Sequence, residues 1–120
     1  MPPTNVIIFA EADGSAPLIE WLDGLDVKVR DKCIVRVERL AELGHELRRP
    51  EADFLRDGIH ELRIRRGKVN YRILYFFHND RAVLSHGCTK DDTVPPSEIE
   101  RAIGHRNLYS QDPMKHQYAE

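Results

Sequence analysis

The sequence has 120 residues, of which 41% are hydrophobic and 32% charged, and its net charge is −2. This composition suits one globular domain with its own core and excludes an intrinsically disordered chain. No apolar run approaches the roughly 20 residues of a membrane span, and the N-terminus lacks the basic start of a signal peptide. We therefore expect a cytoplasmic protein with no membrane partner. Cys33 and Cys88 form no CxxC pair, which favours free thiols.

The first half of the chain predicts one strand followed by two helices. Residues 6–9 form a short β-type run, and Ser15 and Pro17 suit the start of a short helix. Asp26 and Gly44 suit the two ends of a longer helix. Its predicted buried face recurs at helical spacing and consists of Cys33, Ile34, Val37, Leu40 and Ala41. Residues 45–58, which contain Pro50, are interpreted as a connection.

The second half predicts three antiparallel strands and a helix. The first two strands flank the basic turn Arg66-Gly67-Lys68, and residues 82–86 predict the third. Ser97 suits the start of the last helix. The element order predicts an α+β fold: a mainly antiparallel four-stranded sheet, with two N-terminal helices packed on one face and a C-terminal helix. We expect a single domain over residues 1–109 and a polar tail over residues 110–120.

The central hairpin has two chemically different faces. Side chains alternate along a strand, so Leu62 and Ile64 share one face, while Arg63 and Arg65 share the other with Arg72. Residues 56–81 carry a net charge of +4, whereas the preceding residues carry −4. Guanidinium groups suit phosphate geometry, so the hairpin is where an anionic partner is expected to bind. Arginines on a solvated sheet face, paired with Glu61, explain the same pattern.

The histidines, six in number, form no HExxH or Cys/His quartet, and we expect neither a metal nor another cofactor. No P-loop, GxGxxG or GxSxG motif occurs. The basic hairpin with His60, His86 and Lys90 suits RNA cleavage without a metal. A base deprotonates the ribose 2′-OH, an acid protonates the leaving 5′-oxygen, and cations stabilise the phosphorane. A surface His60, a buried His86 bonded to backbone and a Lys90 in a solvated loop are the alternatives.

Four segments resemble the phage-derived branch of the RelE/HigB toxin superfamily. They are GIHELR at 58–63, YRILYF at 71–76, LSHG at 84–87 with Lys90, and SEIERA at 97–102 after two prolines. The corresponding patterns of the family are a Gly-x-Tyr-Glu-Leu-Arg strand, a Tyr-Arg-x-x-Tyr-Phe strand, a Leu-x-His-Gly-Phe-x-Lys-Lys run and a Pro-x-x-Glu-Ile-x-x-Ala helix. The resemblance extends over most of residues 15–109.

The resemblance implies a RelE-like toxin of a type II toxin–antitoxin pair. Such a toxin cuts mRNA, typically in the ribosomal A site, and is silenced by a cognate antitoxin, which we expect to be of the helix-turn-helix type. The implied catalytic residues are His60, Arg63, Arg72 and Lys90. The residues expected to bind RNA are Arg65, Arg66 and Lys68.

Three departures from the family pattern concern the same surface. His60 stands where the family has tyrosine, and Asp91, followed by Asp92, stands where it has a second lysine. The chain is also mildly acidic. The alternative function is therefore a non-catalytic module of the same fold that binds a partner or RNA.

Overall fold

The computed structural model describes residues 3–90 and 93–119, and at Lys90 the backbone alone. The elements are β1 (Asn5–Ile8), α1 (Pro17–Asp23), α2 (Val27–Leu43), β2 (Ala52–Arg56), β3 (Ile59–Arg66), β4 (Val69–His78), β5 (Arg81–Lys90) and α3 (Pro96–Gln111). Short 3-10 helices at Gly44–Glu46 and Pro113–His116 follow α2 and α3. The predicted α+β class is confirmed.

The sheet has five strands in the order β1-β5-β4-β3-β2, and not the four that we predicted. β1 pairs parallel with β5, and the other neighbours pair antiparallel, so the sheet is mixed. The additional strand is β2, which lies within the segment interpreted as a connection. Its five residues include an exposed Phe54, and a bulge between Phe54 and Arg56 interrupts the alternation by which a strand is recognised.

One face of the sheet packs against α1 and α2. The buried residues of this core include Leu18, Val29, Cys33, Leu40, Leu62, Ile64, Ile73, Tyr75 and Leu84. Ile34 is 46% exposed, so its predicted place on the buried face was wrong. It follows Cys33 by one residue and is therefore turned away from it by about 100° around the helix. At Gly87, an added Cβ would lie 2.1 Å from the ring of Trp21, so glycine allows α1 to approach β5.

The opposite face of the sheet is partly covered by α3. The buried residues of this second core include Phe9, Ile59, Leu74, Phe76, Val83, Ile99, Ala102 and Tyr109. The segment expected as a polar tail also contacts the domain. His116 is buried with its Nδ1 2.8 Å from the Ala10 carbonyl, and the Tyr118 amide donates to Ile8.

A chain of polar groups connects α3 to β5 and to the residues after β1. Ser85 Oγ lies 2.8 Å from His86 Nδ1 and 2.7 Å from His105 Nδ1. The outer nitrogens face carboxylates, with His86 Nε2 3.1 Å from Glu98 and His105 Nε2 3.4 Å from Glu11. Ser85 has one hydroxyl proton, so one imidazole accepts from it and the other donates to it. Burial lowers the pKa of His86 to about 4 and that of His105 to about 3, so both imidazoles are neutral at pH 7.

Acid should therefore destabilise the fold. The ordinary histidine pKa is 6.5, so between pH 6.5 and about 4 the unfolded chain binds more protons than the folded one, and stability present above pH 6.5 is lost as the pH falls. We expect each imidazole to contribute a loss of about 2 kcal/mol between pH 7 and pH 5. Urea unfolding at both pH values measures this loss. His105→Gln should show a shallower pH dependence than the wild type. A His105→Gln protein with the wild-type pH dependence would contradict this account.

Candidate functional site

Glu61 on β3 is a buried carboxylate that holds two arginines. It is 4% exposed, accepts a 2.8 Å hydrogen bond from Arg63 Nη1, and lies 3.2 Å from Arg72 Nε. Arg63 and Arg72 are register partners on β3 and β4, and Glu61 precedes Arg63 by two residues. All three side chains thus leave the sheet on the same face, where one carboxylate reaches both guanidinium groups.

The Arg72 guanidinium is fixed by its surroundings. Arg72 is 6% exposed, and its Nη1 donates to the backbone carbonyls of Ile64 and Tyr71 at 3.4 and 3.2 Å. Burial lowers the pKa of Arg72, and Glu61 opposes this effect. A guanidinium keeps its proton in proteins, so Arg72 presents a permanent positive charge in a defined position.

A groove opens beside this cluster, where β2 begins opposite Leu62 and the later residues of β3 form the edge of the sheet. It consists of two adjoining cavities of about 390 and 340 Å³. Both are lined by Arg49, Arg63, Arg65, Asn70 and Arg72. Arg36 of α2 lines the first cavity and Glu61 the second. We call this surface the arginine groove, defined by Arg36, Arg49, Arg63, Arg65 and Arg72.

Carboxylates neutralise part of the groove. Arg36 pairs with Glu51 at 3.2 Å, and Arg49 pairs with Asp53 at 2.8 Å. Arg65 is exposed, and its Nε donates to the Gly67 carbonyl. Within residues 3–90 and 93–119, no carboxylate pairs with Arg65. Its guanidinium is therefore well placed to meet an anion that enters the groove.

The structure brings together three of the predicted site residues, Arg63, Arg65 and Arg72. Arg66 does not line the groove, and its Nη1 pairs at 2.7 Å with Asp26 just before α2. Lys68 is exposed in the turn between β3 and β4. The backbone of Lys90 pairs with Asn70 of the groove. The side chain of Lys90, together with Asp91 and Asp92, lies outside the described residues.

His60 lies in a different cavity from the three arginines. It pairs with Tyr75 in the sheet register and shares the face of Leu62 and Ile64. Its ring stacks on that of Tyr75 with centroids 5.1 Å apart. Burial lowers the pKa of His60, and the nearby His45 lowers it further. His60 and the arginine groove thus use opposite faces of β3.

Arg36 and Arg49 are not among the site residues predicted from the sequence. Arg36 lies on α2 outside the predicted buried face, and Arg49 lies in the segment interpreted as a connection. Their positions depend on how α2 and β2 pack beside β3, which no local spacing reveals.

Two further properties concern the described part of the chain as a whole. It contains no group of three or more His, Cys, Asp or Glu residues placed to hold a metal ion. Among its helices, none combines the length and the apolar character needed to cross a membrane.

These features define a small α+β domain that presents a cluster of arginines around a buried carboxylate. The family model described as phage derived protein Gp49-like (DUF891) matches residues 20–106, which include every residue of the groove. The chain belongs to this phage-derived Gp49-like family. Membership is consistent with a toxin of a toxin–antitoxin system and suggests an antitoxin as partner. The comparison with curated proteins gave no match.

The contribution of Glu61 to the fold can be measured as a change in the free energy of unfolding. Glu61→Gln leaves the buried Arg72 charge without its counter-charge, so we expect a loss of about 3–5 kcal/mol in the free energy of unfolding. Glu51→Gln is the matched control, because Glu51 also binds two arginines but is 24% exposed, and it should cost at most about 1 kcal/mol. Urea unfolding compares the two, and an equally small loss for both variants would contradict the account.

Proposed function

We propose that the protein is the toxin of a type II toxin–antitoxin pair and acts as a metal-independent endoribonuclease on mRNA in the ribosome. The observation that carries this proposal is the arginine groove around Glu61. Membership in the Gp49-like family supports the toxin role, and the groove supplies charges suited to a phosphate group.

The groove suits cleavage by the neighbouring ribose. Arg65, which is exposed and has no carboxylate partner among the described residues, binds the backbone phosphate of the RNA. The 2′-OH attacks the adjacent phosphorus and the bond to the 5′-oxygen breaks, which gives a 2′,3′-cyclic phosphate and a 5′-OH. Arg63 and Arg72 stabilise the charge of the phosphorane. Because Glu61 holds both beforehand, the groove needs little reorganisation during the reaction.

Proton transfer is the second requirement of this reaction. Glu61 lines the groove, and we assign its carboxylate as the acceptor of the 2′-OH proton. We assign Lys90, whose backbone lies beside Asn70, as the donor to the leaving oxygen. His60 was expected to act as an acid or base. The cavity of His60 is separate from the groove, so we give His60 a role in binding RNA below. Proton transfer by His60 is the alternative.

We assign the remaining partners by the same proposal. mRNA is the substrate, and the ribosome presents it. The cognate antitoxin, of the helix-turn-helix type, silences the toxin by covering the groove, which an acidic segment suits best because the groove is rich in arginine.

A non-catalytic module is the second candidate function, and two observations favour it. In the described structure, four groove arginines form ion pairs with carboxylates: Arg36, Arg49, Arg63 and Arg72. In addition, α2 exposes apolar side chains that a protein partner can cover: Val27, Ile34 and Val35. On this alternative, the groove docks a partner and performs no chemistry.

Cleavage of a reporter mRNA in a reconstituted translation reaction separates the two functions. The wild type should cut the mRNA at defined positions, mapped by primer extension. Arg63→Ala should lower the rate by about 10²–10³-fold, because one donor to the phosphorane is lost. Arg56→Ala is the matched control. It removes an arginine that pairs with Asp57 and lies outside the groove, so it should cleave at the wild-type rate.

The outcome that contradicts the ribonuclease is undiminished cleavage by a folded Arg63→Ala protein. Absence of cleavage by the wild type, together with stable binding of an antitoxin, would favour the non-catalytic module.

A further inference from the structure

A third cavity lies beside β2 on the face that packs against α1 and α2. Its volume is about 320 Å³, which is within the range of small-ligand sites. Three rings, of His45, Phe54 and His60, line it, and Leu47 contributes apolar surface. Arg48 and Arg49 also line it, and both are exposed. The cavity therefore combines flat aromatic walls with two exposed cations.

The rings of this cavity are held in an ordered arrangement. Phe54 is 55% exposed and meets His60 edge to face, with centroids 5.2 Å apart. His60 in turn stacks on Tyr75 at 5.1 Å and meets Phe77 at 5.3 Å. His45 stacks on Phe77 at 3.6 Å. The buried ring of Tyr75 and the half-buried rings of His60 and Phe77 thus support the exposed rings of Phe54 and His45. The cavity is therefore preformed for a planar group.

The cavity adjoins the arginine groove. Arg49 lines both the cavity and the two compartments of the groove, and Asp53 lines the cavity and one compartment. These two residues form an ion pair of 2.8 Å, so the boundary between the two sites is one pair of side chains. A ligand with an anionic group on one side and a planar ring on the other spans this boundary.

We propose that this cavity is a nucleobase-binding subsite, in which a base of single-stranded RNA stacks on Phe54 and meets the ring of His60 edge to face, while its phosphate lies in the arginine groove. Aromatic rings and arginines are the groups on which proteins stack unpaired bases. Burial lowers the pKa of His60, so its ring is neutral at pH 7 and presents an uncharged aromatic surface to the base. This inference rests on the proposed function and names where the substrate lies.

The test measures RNA binding separately from cleavage. The probe is a fluorescent single-stranded oligoribonucleotide made resistant to cleavage by 2′-deoxy substitution, and its Kd is obtained by anisotropy. Phe54→Ala should raise the Kd by about 5–150-fold, because one base loses its stacking partner. Leu108→Ala is the matched control, because it truncates an exposed apolar side chain of α3, outside the cavity, and it should leave the Kd unchanged.

A second probe isolates the base. The same oligonucleotide with abasic sites keeps the phosphates, and wild type and Phe54→Ala should bind it equally. Phe54→Trp should restore binding, and its fluorescence should be quenched by the normal oligonucleotide more than that of the wild type, which contains Trp21 alone.

Three results would overturn the proposal. One is an equal Kd for wild type and Phe54→Ala, which would leave Phe54 for a protein partner. Another is equal affinity of the wild type for the normal and abasic probes. The third is a His60→Gln protein with unchanged Kd and a lower rate of cleavage at saturating protein, because His60 would then act in proton transfer.

Failure of the proposed function looks different. Base-dependent binding that requires Phe54, without cleavage of any mRNA, would keep the subsite and remove the ribonuclease. Cleavage with a Kd that does not depend on Phe54 would keep the ribonuclease and remove the subsite.

Discussion

The carboxylate of Glu61 is buried between two guanidinium groups, and a charge in such a place is tolerated only when opposite charges and hydrogen bonds compensate for the lost water. Arg63 and Arg72 supply that compensation from two paired strands. The same contacts fix where two cations stand at the groove, so the fold and the proposed anion binding depend on one cluster. A one-residue slip of β3 against β4 would move Arg63 and Arg65 to the face opposite Arg72, which ties the site to the register of the hairpin.

Packing around the sheet determines how much of this cluster is accessible. α3 covers part of the face that carries Glu61, held by its apolar core and by the polar chain through Ser85. Another part remains a groove because β2 pairs with β3 only as far as Leu62. Arg36 and Arg49 then approach from α2 and from the segment before β2. The groove is therefore built by the edge of the sheet as much as by its face.

The hairpin could be predicted from the sequence because strand alternation is local. It placed Arg63, Arg65 and Arg72 on one face, and Leu62 and Ile64 on the other, as the structure has them. By the same alternation His60 belongs with Leu62, and the structure has it on that face, away from the arginines with which it was expected to act. By contrast, β2 was missed because its bulge and exposed Phe54 break the pattern, and the contacts of His116 with Ala10 join residues far apart in sequence. Arg36 and Arg49 were missed because they also reach the site through contacts between residues far apart in sequence.

The central claim is that the groove binds RNA phosphates through arginines held around Glu61. The salt dependence of binding to a cleavage-resistant single-stranded RNA tests it most directly, because each phosphate contact adds about 0.7 to the slope of log K against log salt concentration. Arg65→Ala should make that slope shallower by about 0.7, and Arg56→Ala, outside the groove, should leave it unchanged. Equal slopes for wild type and Arg65→Ala would contradict the claim.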